Sequence, residues 1–583
     1  MALHLTVATA VLAGLASVAE GALIDAVDLA PADHRSDEPV AGKWWLNRDA
    51  DAWGANGGTI LMTGRPRDAA VDDSLHKVIA ASGYIPYRVP WLAIDPRVNG
   101  WHRIYVGLYH RSEPPQARLL AKLSDELYPE YLQTPDDTET RVAEVYWKAA
   151  DLSGRQIELG QPPAPWAHPD HGWIGGISHI RLEPMTEVEV REAEQEIILP
   201  PAEQRLFGML DYTDEVFWWG RADTENDIRA IVYRHEQAGF GRIYLRCFGT
   251  HLDNSLAVAE AAPRWTDEQE EKWCESQNCA VGWKPYIELA NRFDPLQVAV
   301  EYAEQIGVEV HAWVRMTNFN REPRAAFWHD NPQFYAQMLV TEKDEETGKQ
   351  VPVEPYQRQA YPRVLSFAYP EVRAFYVKFF EQLASTGTPG IMIDLLRHPP
   401  IAGYEPVVSE AFQREYGVAM ETLDVYHDPR VQEHLSQYLE AFLRDLRAAI
   451  GDDIEISVRS SGPSKYALRG EEWIAEGLID AIVDGNWYSG NGPRGTIEAT
   501  IAAAGSRGKA YAVAESYDVD PDDNWTRRPG WPSPEAIHAL SAIYRDKGAD
   551  GFGLYESTVF TWYPHLRRAI RRAGWGSDPR PPD

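Results

Sequence analysis

Gly390-Ile391-Met392-Ile393-Asp394-Leu395-Leu396-Arg397-His398-Pro399-Pro400 joins an unbroken apolar run to an acid, a guanidinium and an imidazole, and then stops at two prolines. A strand with no polar alternation is buried on both faces, as in parallel sheets whose two sides are covered by helices. In such folds function gathers beyond the carboxyl ends of the strands. Ile391 to Ile393 are therefore expected in the core, and Asp394, Arg397 and His398 at the rim of a pocket. The competing structural reading is an ion pair between Asp394 and Arg397 that only fastens the strand end.

Similar runs flank this one at 206–212, 242–248, 308–316, 454–460, 479–487, 510–517 and 551–557. Helical patterns alternate with them: Glu225 to Gln237, Pro295 to Gln305, Pro370 to Ser385, Arg430 to Ile450 and Pro534 to Lys547. A glycine follows each, at Gly239, Gly307, Gly387, Gly451 and Gly548, where a left-handed residue releases the chain into the next strand. Strands alternating with helices define an α/β chain, and eight repeats close into a (β/α)8 TIM barrel over residues 206–575. The span, about 370 residues, exceeds the roughly 250 usual for this fold. The excess falls in stretches such as 250–292 and 317–366, which read as loops that shape a cleft.

The rhythm before the barrel is different. Over residues 23–198, short runs such as Thr59 to Thr63, Trp101 to Tyr109, Arg118 to Leu123 and Ile177 to Pro184 are separated by Gly, Pro and Asp turns. That spacing fits an all-β, jelly-roll-like sandwich, which either binds polysaccharide or packs as an accessory domain. A proline joint at Leu199-Pro200-Pro201 opens the linker 199–205, and a polar tail at 576–583 is expected to be disordered.

Composition narrows the partners. Across 583 residues, 56 Lys and Arg face 88 Asp and Glu, a formal charge of −32 that repels nucleic acid and anionic lipid. The 21 Trp and 28 Tyr supply flat faces of the kind on which sugar rings stack. The apolar run Leu5 to Ala16, followed by small residues up to Gly21 and Ala22, reads as a secretory signal peptide, residues 1–22, although no Lys or Arg precedes it and only His4 stands there. Secretion or transfer to a periplasm is the expectation, with no membrane attachment after processing, because no later stretch approaches the roughly 18 apolar residues of a span. In an exported chain Cys274 and Cys279 can close a small loop disulfide, leaving Cys247 as a buried thiol. No zinc spacing surrounds them, and neither a phosphate-binding glycine loop nor a dinucleotide fingerprint occurs, so no cofactor and no metal is expected.

The polar residues that end the strands are the candidates for chemistry. They include Asp211, Arg246, His311, Trp313, Arg315, Asp394, Arg397, His398, Arg459, Asp484, Trp487, Tyr488, Glu515, Tyr517, Tyr555 and Glu556. Hydrolysis of a glycosidic bond needs two carboxyl groups, one protonating the leaving oxygen and one acting as nucleophile or base. Asp394 and Glu515 meet that need from strands four and seven, with Asp484 or Glu556 as substitutes for Glu515. Trp313, Trp487, Tyr488 and Tyr517 are candidate sugar platforms. Asp211, His311, Arg397, His398, Arg459 and Tyr555 complete a substrate-binding set.

The segment Ile391 to Pro399, of the form I-x-I-D-x-x-R-x-P, resembles the fourth-strand motif of the glycoside hydrolase-like barrels grouped near family ten in bacteria. His311-Ala312-Trp313-Val314-Arg315, Leu365 to Arg373 and Gly548 to Glu556 extend the likeness over the barrel, and Gly100 to Leu108 resembles accessory domains that precede such barrels. The resemblance implies a hydrolase acting on a polysaccharide or oligosaccharide. A departure stands at strand four. The larger retaining clan ends that strand in Asn-Glu, whereas here Ile393 precedes Asp394, which leaves open an aspartate nucleophile with Asp484 as acid, as in the α-galactosidase clan.

Overall fold

The computed structural model describes residues 90–109, 118–133, 142–160, 173–197, 206–211, 224–248, 293–316, 330–343, 350–395, 401–425, 428–460, 468–485, 497–514 and 534–561, residue 327, and short segments at 22–25, 35–36, 44–47, 78–83, 566–567 and 570–571. The N-terminal apolar run, the strand expected at Thr59 to Thr63, the Cys274 and Cys279 pair and the C-terminal tail lie outside the described residues. The chain divides into two compact units, Met1–Ala164 with His168–Leu199, and Pro165–Ala167 with Pro200–Asp583.

The first unit is a two-sheet β structure. Among the described residues its larger sheet has seven strands, with Trp173–Pro184 beside Trp101–Tyr109 and the latter beside Val142–Asp151. The smaller sheet runs Leu92–Ile94, Ile157–Gly160, Arg118–Leu123, Glu130–Gln133. Along Trp101–Tyr109 the side chains Ile104, Val106 and Leu108 turn inward and meet Leu119, Leu123 and Leu159 of the smaller sheet in one apolar core. Trp147 is fully buried in it, and its indole N–H donates to Glu130 at 2.6 Å. A helix not anticipated from sequence, Glu187–Ile197, follows. It is started by a capping box in which Glu189 accepts from the Thr186 backbone N–H at 2.8 Å.

The second unit is the closed eight-stranded parallel barrel. Its strands are Leu206–Leu210, Arg242–Phe248, Glu309–Arg315, Gly390–Asp394, Glu455–Ser460, Ala481–Asp484, Lys509–Ala514 and Gly551–Tyr555, numbered one to eight here in that order. Helix starts follow local chemistry. Asp294 accepts from the backbone of Leu296 and Gln297 ahead of Pro295–Ile306, and Asp428 from Arg430 ahead of Pro429–Ile450. Gly239, Gly307, Gly387, Gly451 and Gly548 all take positive φ, as their places after helices require. Where a loop was expected over 317–366, Tyr335–Leu339 pairs with Arg358–Leu365 and Thr341–Lys343 with Gln350–Pro352. Residues Pro406–Tyr416 form a further helix after strand four.

Closure of the barrel is fastened by one imidazole. His235, on the helix Glu225–Gln237, contacts the Ile231 carbonyl through Nδ1 at 2.8 Å and the Ser557 hydroxyl through Nε2 at 2.8 Å. A carbonyl only accepts, so Nδ1 carries the proton and Nε2 accepts from Ser557. The first helix is thereby tied to the turn after strand eight. Gly208 makes the approach possible, since a Cβ there would lie 2.5 Å from the Ser557 oxygen. Burial, with Arg234 nearby, lowers the pKa of His235 to about 4 from 6.5. The unfolded chain takes up this proton near 6.5 and the folded chain only near 4, so the contribution is complete above the upper value and is lost as pH falls through the window. Urea unfolding across that window should show stability falling by about 3 kcal/mol on this account in the native chain. His235→Gln should flatten that part of the slope.

Candidate active site

Side chains alternate along each strand, so one set lines the lumen, which in a barrel of this size is packed and not a pore. The register places Arg242, Tyr244 and Arg246 beside Glu309, His311 and Trp313, and Arg315 beside Asp394 and then Arg459. The lumen is charged at both ends and apolar between, where Met209, Trp313, Met392, Val483, Val513 and Tyr555 share one cluster.

At the amino-terminal end Arg242 bridges Glu309 at 2.8 Å and Glu455 at 2.6 Å. His311 stands above them, its Nε2 3.3 Å from Glu309. That hydrogen bond, opposed by burial and assisted by Arg242, holds Glu309 at about 2, whereas burial lowers His311. His311 is thus corrected from a rim residue to a lower lumen residue, four positions before the strand end at Arg315, or about 13 Å. Its ring occupies the space that Gly390 leaves open, since a Cβ at that glycine would sit 2.2 Å from Nδ1.

The carboxyl-terminal end holds the charged floor of the mouth. Asp394 is 0% exposed. One of its oxygens accepts from the Trp313 indole at 2.8 Å and lies 3.6 Å from Arg315 Nε and 3.5 Å from Arg459 Nη1. Asp211 is buried against Arg246, to which it is ion-paired, and lies 3.9 Å from Arg315. Tyr555 accepts from Arg315 at 3.5 Å, and the Arg459 guanidinium is 5.3 Å from its ring centre. The Trp313 ring centre has the guanidinium carbons of Arg246, Arg315 and Arg459 at 5.9, 5.2 and 5.7 Å. Trp313 is fully buried and leaves no face for a sugar, so its expected place as a platform is corrected to the hub of this floor.

Of the sequence candidates, the structure brings together Asp211, Trp313, Asp394, Arg459 and Tyr555. Asp484 is also a correction. It ends strand six one residue after the inward Val483, and one of its oxygens accepts from Thr500 of the helix Ile497–Ala504 at 3.3 Å, so that oxygen faces the helix. Glu556 follows Tyr555, is half-buried, and has φ of 51°. A non-glycine residue held in that region costs of order 1–3 kcal/mol, and such strain gathers at functional sites. Glu515, Tyr517, Trp487, Tyr488, Arg397 and His398 lie outside the described residues. Arg246 and Arg315, named among the strand-end candidates but left out of the catalytic and substrate-binding sets, also belong to the floor; the signal was their place at consecutive strand ends.

No family model matches the chain, and no curated protein matches it by sequence. Among solved structures it is similar to a Podospora anserina beta-(1,4)-mannanase at 9% identity, covering 96% of this chain and 97% of that one, with a TM-score of 0.28. The glycoside hydrolase domain of PelA from Pseudomonas aeruginosa matches at 14% identity over 62% and 95% of the two chains, with a TM-score of 0.30. A morphinone reductase matches at 11% identity over 67% and 90%, with a TM-score of 0.34. These neighbours include hydrolases and a reductase, and at such scores the likeness carries no weight for activity.

Removing one cation from the floor leaves a buried anion short of its counter-charge. Arg459→Ala should therefore destabilise the barrel by about 3–5 kcal/mol, read by urea unfolding. Asp394→Asn combined with Arg459→Met should recover part of that loss, because the uncompensated charge is then gone.

Proposed function

We propose that the barrel is a glycoside hydrolase working at its C-terminal mouth, with Asp394 as one carboxylate and Glu515, or failing that Glu556, as the other. The carrying observation is the floor itself: an aspartate at the end of strand four, set among Trp313, Arg315 and Arg459, in a barrel whose eighth strand is followed by a strained and partly accessible glutamate. An anion between two guanidiniums suits a nucleophile or a base, and the proton donor then falls to a glutamate in a different setting. The motif likeness to the family ten-like barrels supports the same chemistry. Export of the chain, with removal of residues 1–22, belongs to this proposal, as does an extracellular or periplasmic polysaccharide or oligosaccharide as substrate. No helix among the described residues is long and apolar enough to cross a membrane.

A second reading has its own support. Because the Asp394 carboxylate is wholly buried and already engaged by an indole and two guanidiniums, the barrel could bind a glycan without cleaving it.

Reducing-end release from a panel of polysaccharides separates the two. Asp394→Asn and Glu515→Gln should each lower turnover by about two orders of magnitude or more, with melting temperatures showing both folded. Glu556→Gln should act as strongly only if Glu556 is the partner. Retention of a glycan with no product from the native chain would establish the binding reading instead.

A further inference from the structure

One face of the large sheet in the first unit carries a row of side chains that its core does not use. In register across four neighbouring strands stand Leu23, Arg181, Tyr105 and Tyr146. Three inter-strand spacings make a strip about 14 Å long. Tyr146 is 40% exposed and Leu23 62%. The Tyr105 and Tyr146 ring centres are 5.4 Å apart, and the Arg181 guanidinium lies 3.9 Å over the Tyr105 ring.

The polar groups beside the rings are held rigidly. Arg181 donates to both oxygens of Glu144, through Nη2 to Oε1 at 2.6 Å and through Nε to Oε2 at 3.0 Å. His179 is buried and holds Glu144 from the other side at 3.0 Å, and its own Nδ1 is 2.7 Å from the Ser178 hydroxyl. His179 and Ser178 fit because Gly107 has no side chain; a Cβ there would be 2.4 Å from each. Exposed ion pairs stabilise a fold by no more than about 1 kcal/mol, and an aromatic pair adds about 0.5–1.5 kcal/mol beyond the area it buries. Little of this strip's order is therefore needed for folding, whereas fixed forks and flat rings are what recognition uses.

We propose that this strip, with Tyr146 as its exposed ring and the Arg181 and Glu144 pair as its hydrogen-bonding edge, binds a short run of a neutral polysaccharide. The charges choose the ligand. Arg181 lies between Glu144 at 2.6 Å and Glu183 at 3.6 Å, and Arg103 at one end of the strip meets Glu189 at 2.9 Å, so three carboxylates face two guanidiniums and no surplus positive charge is left to select an anion. A ring face stacks on Tyr146 while hydroxyl groups exchange hydrogen bonds with the fork. The strip is far below the roughly 800 Å² per partner that a stable protein interface needs. The choice of carbohydrate rests on the function proposed above, but the binding does not need the barrel to be catalytic.

The test uses the full-length chain in native gels containing soluble glucomannan, xylan, mixed-linkage glucan or hydroxyethyl chitin. At least one should retard the protein. Tyr146→Ala and Arg181→Gln should each weaken the retardation about tenfold, and Tyr146→Trp should keep it, with melting temperatures confirming that all three fold. No retardation by any polysaccharide, or retardation of the alanine and glutamine variants equal to the native chain, overturns the proposal. So does a dimer in sedimentation that Tyr146→Ala dissolves, which assigns the strip to a second copy. Reducing-end release measured on the same panel keeps the two readings apart: release without retardation sinks the strip alone, and retardation without release sinks the catalytic reading alone.

Discussion

Charge that enters a packed lumen has to find its counter-charge there, and this constraint shapes the barrel at both ends. Water cannot screen Asp394, Arg315 or Arg459, all of which are buried. The strands answer by placing opposite charges at adjacent register positions, Arg315 beside Asp394 beside Arg459 above, and Arg242 beside Glu309 below. Between the two charged tiers the lumen is apolar and aromatic, so the tiers are separated by packed side chains. The upper tier faces the end of the barrel where strands hand over to loops. The lower tier has only the stabilising duty usual for that end.

The fold was legible because the barrel's signals are local. Most strands are short apolar runs, and the five helices read from the sequence are each followed within a few residues by a glycine with positive φ. The observed strands begin and end close to those read from the sequence, the largest difference falling at strand six, which runs from Ala481 to Asp484, while residues 515–517 of the expected seventh strand lie outside the described residues. The hairpins inside 335–365 were harder to see. Thr341–Lys343 is fully exposed and charged, so it has no apolar face to announce a strand. The helix Glu187–Ile197 was legible in principle, since Thr186 and Glu189 are spaced as a capping box, but its low hydrophobicity hid it beside a stretch that read as β.

The site was legible as a set of residues and not as a geometry. Strand ends pointed to Asp211, Asp394, Arg459 and Tyr555, and these do converge. What sequence could not supply was parity and height. One residue of parity turns an Asp484 oxygen to Thr500. Four residues of height lower His311 to Glu309. The structural alternative of a pair between Asp394 and Arg397 involves a residue outside the described ones; among those described, Arg315 and Arg459 approach Asp394 from the flanking strands. In a parallel sheet the close neighbours of a strand-end acid are its lateral ones.

The lengths within the floor bear on what Asp394 can do. Its contact with the Trp313 indole, 2.8 Å, is a closed hydrogen bond, while the guanidinium nitrogens at 3.5 and 3.6 Å exceed the 2.7–2.9 Å of a charge-assisted one. The arginines therefore act on this carboxylate mainly through charge, and charge weakens only slowly with distance. A hydroxyl or a water that comes between a guanidinium and the carboxylate gives up little of that attraction and gains two partners. The indole bond, being short and directional, is what such an arrival would have to leave intact. Among the described residues, Trp313 is thus the part of the floor that orients Asp394 by a short hydrogen bond, and Arg315 and Arg459 are the part that surrounds it with opposite charge.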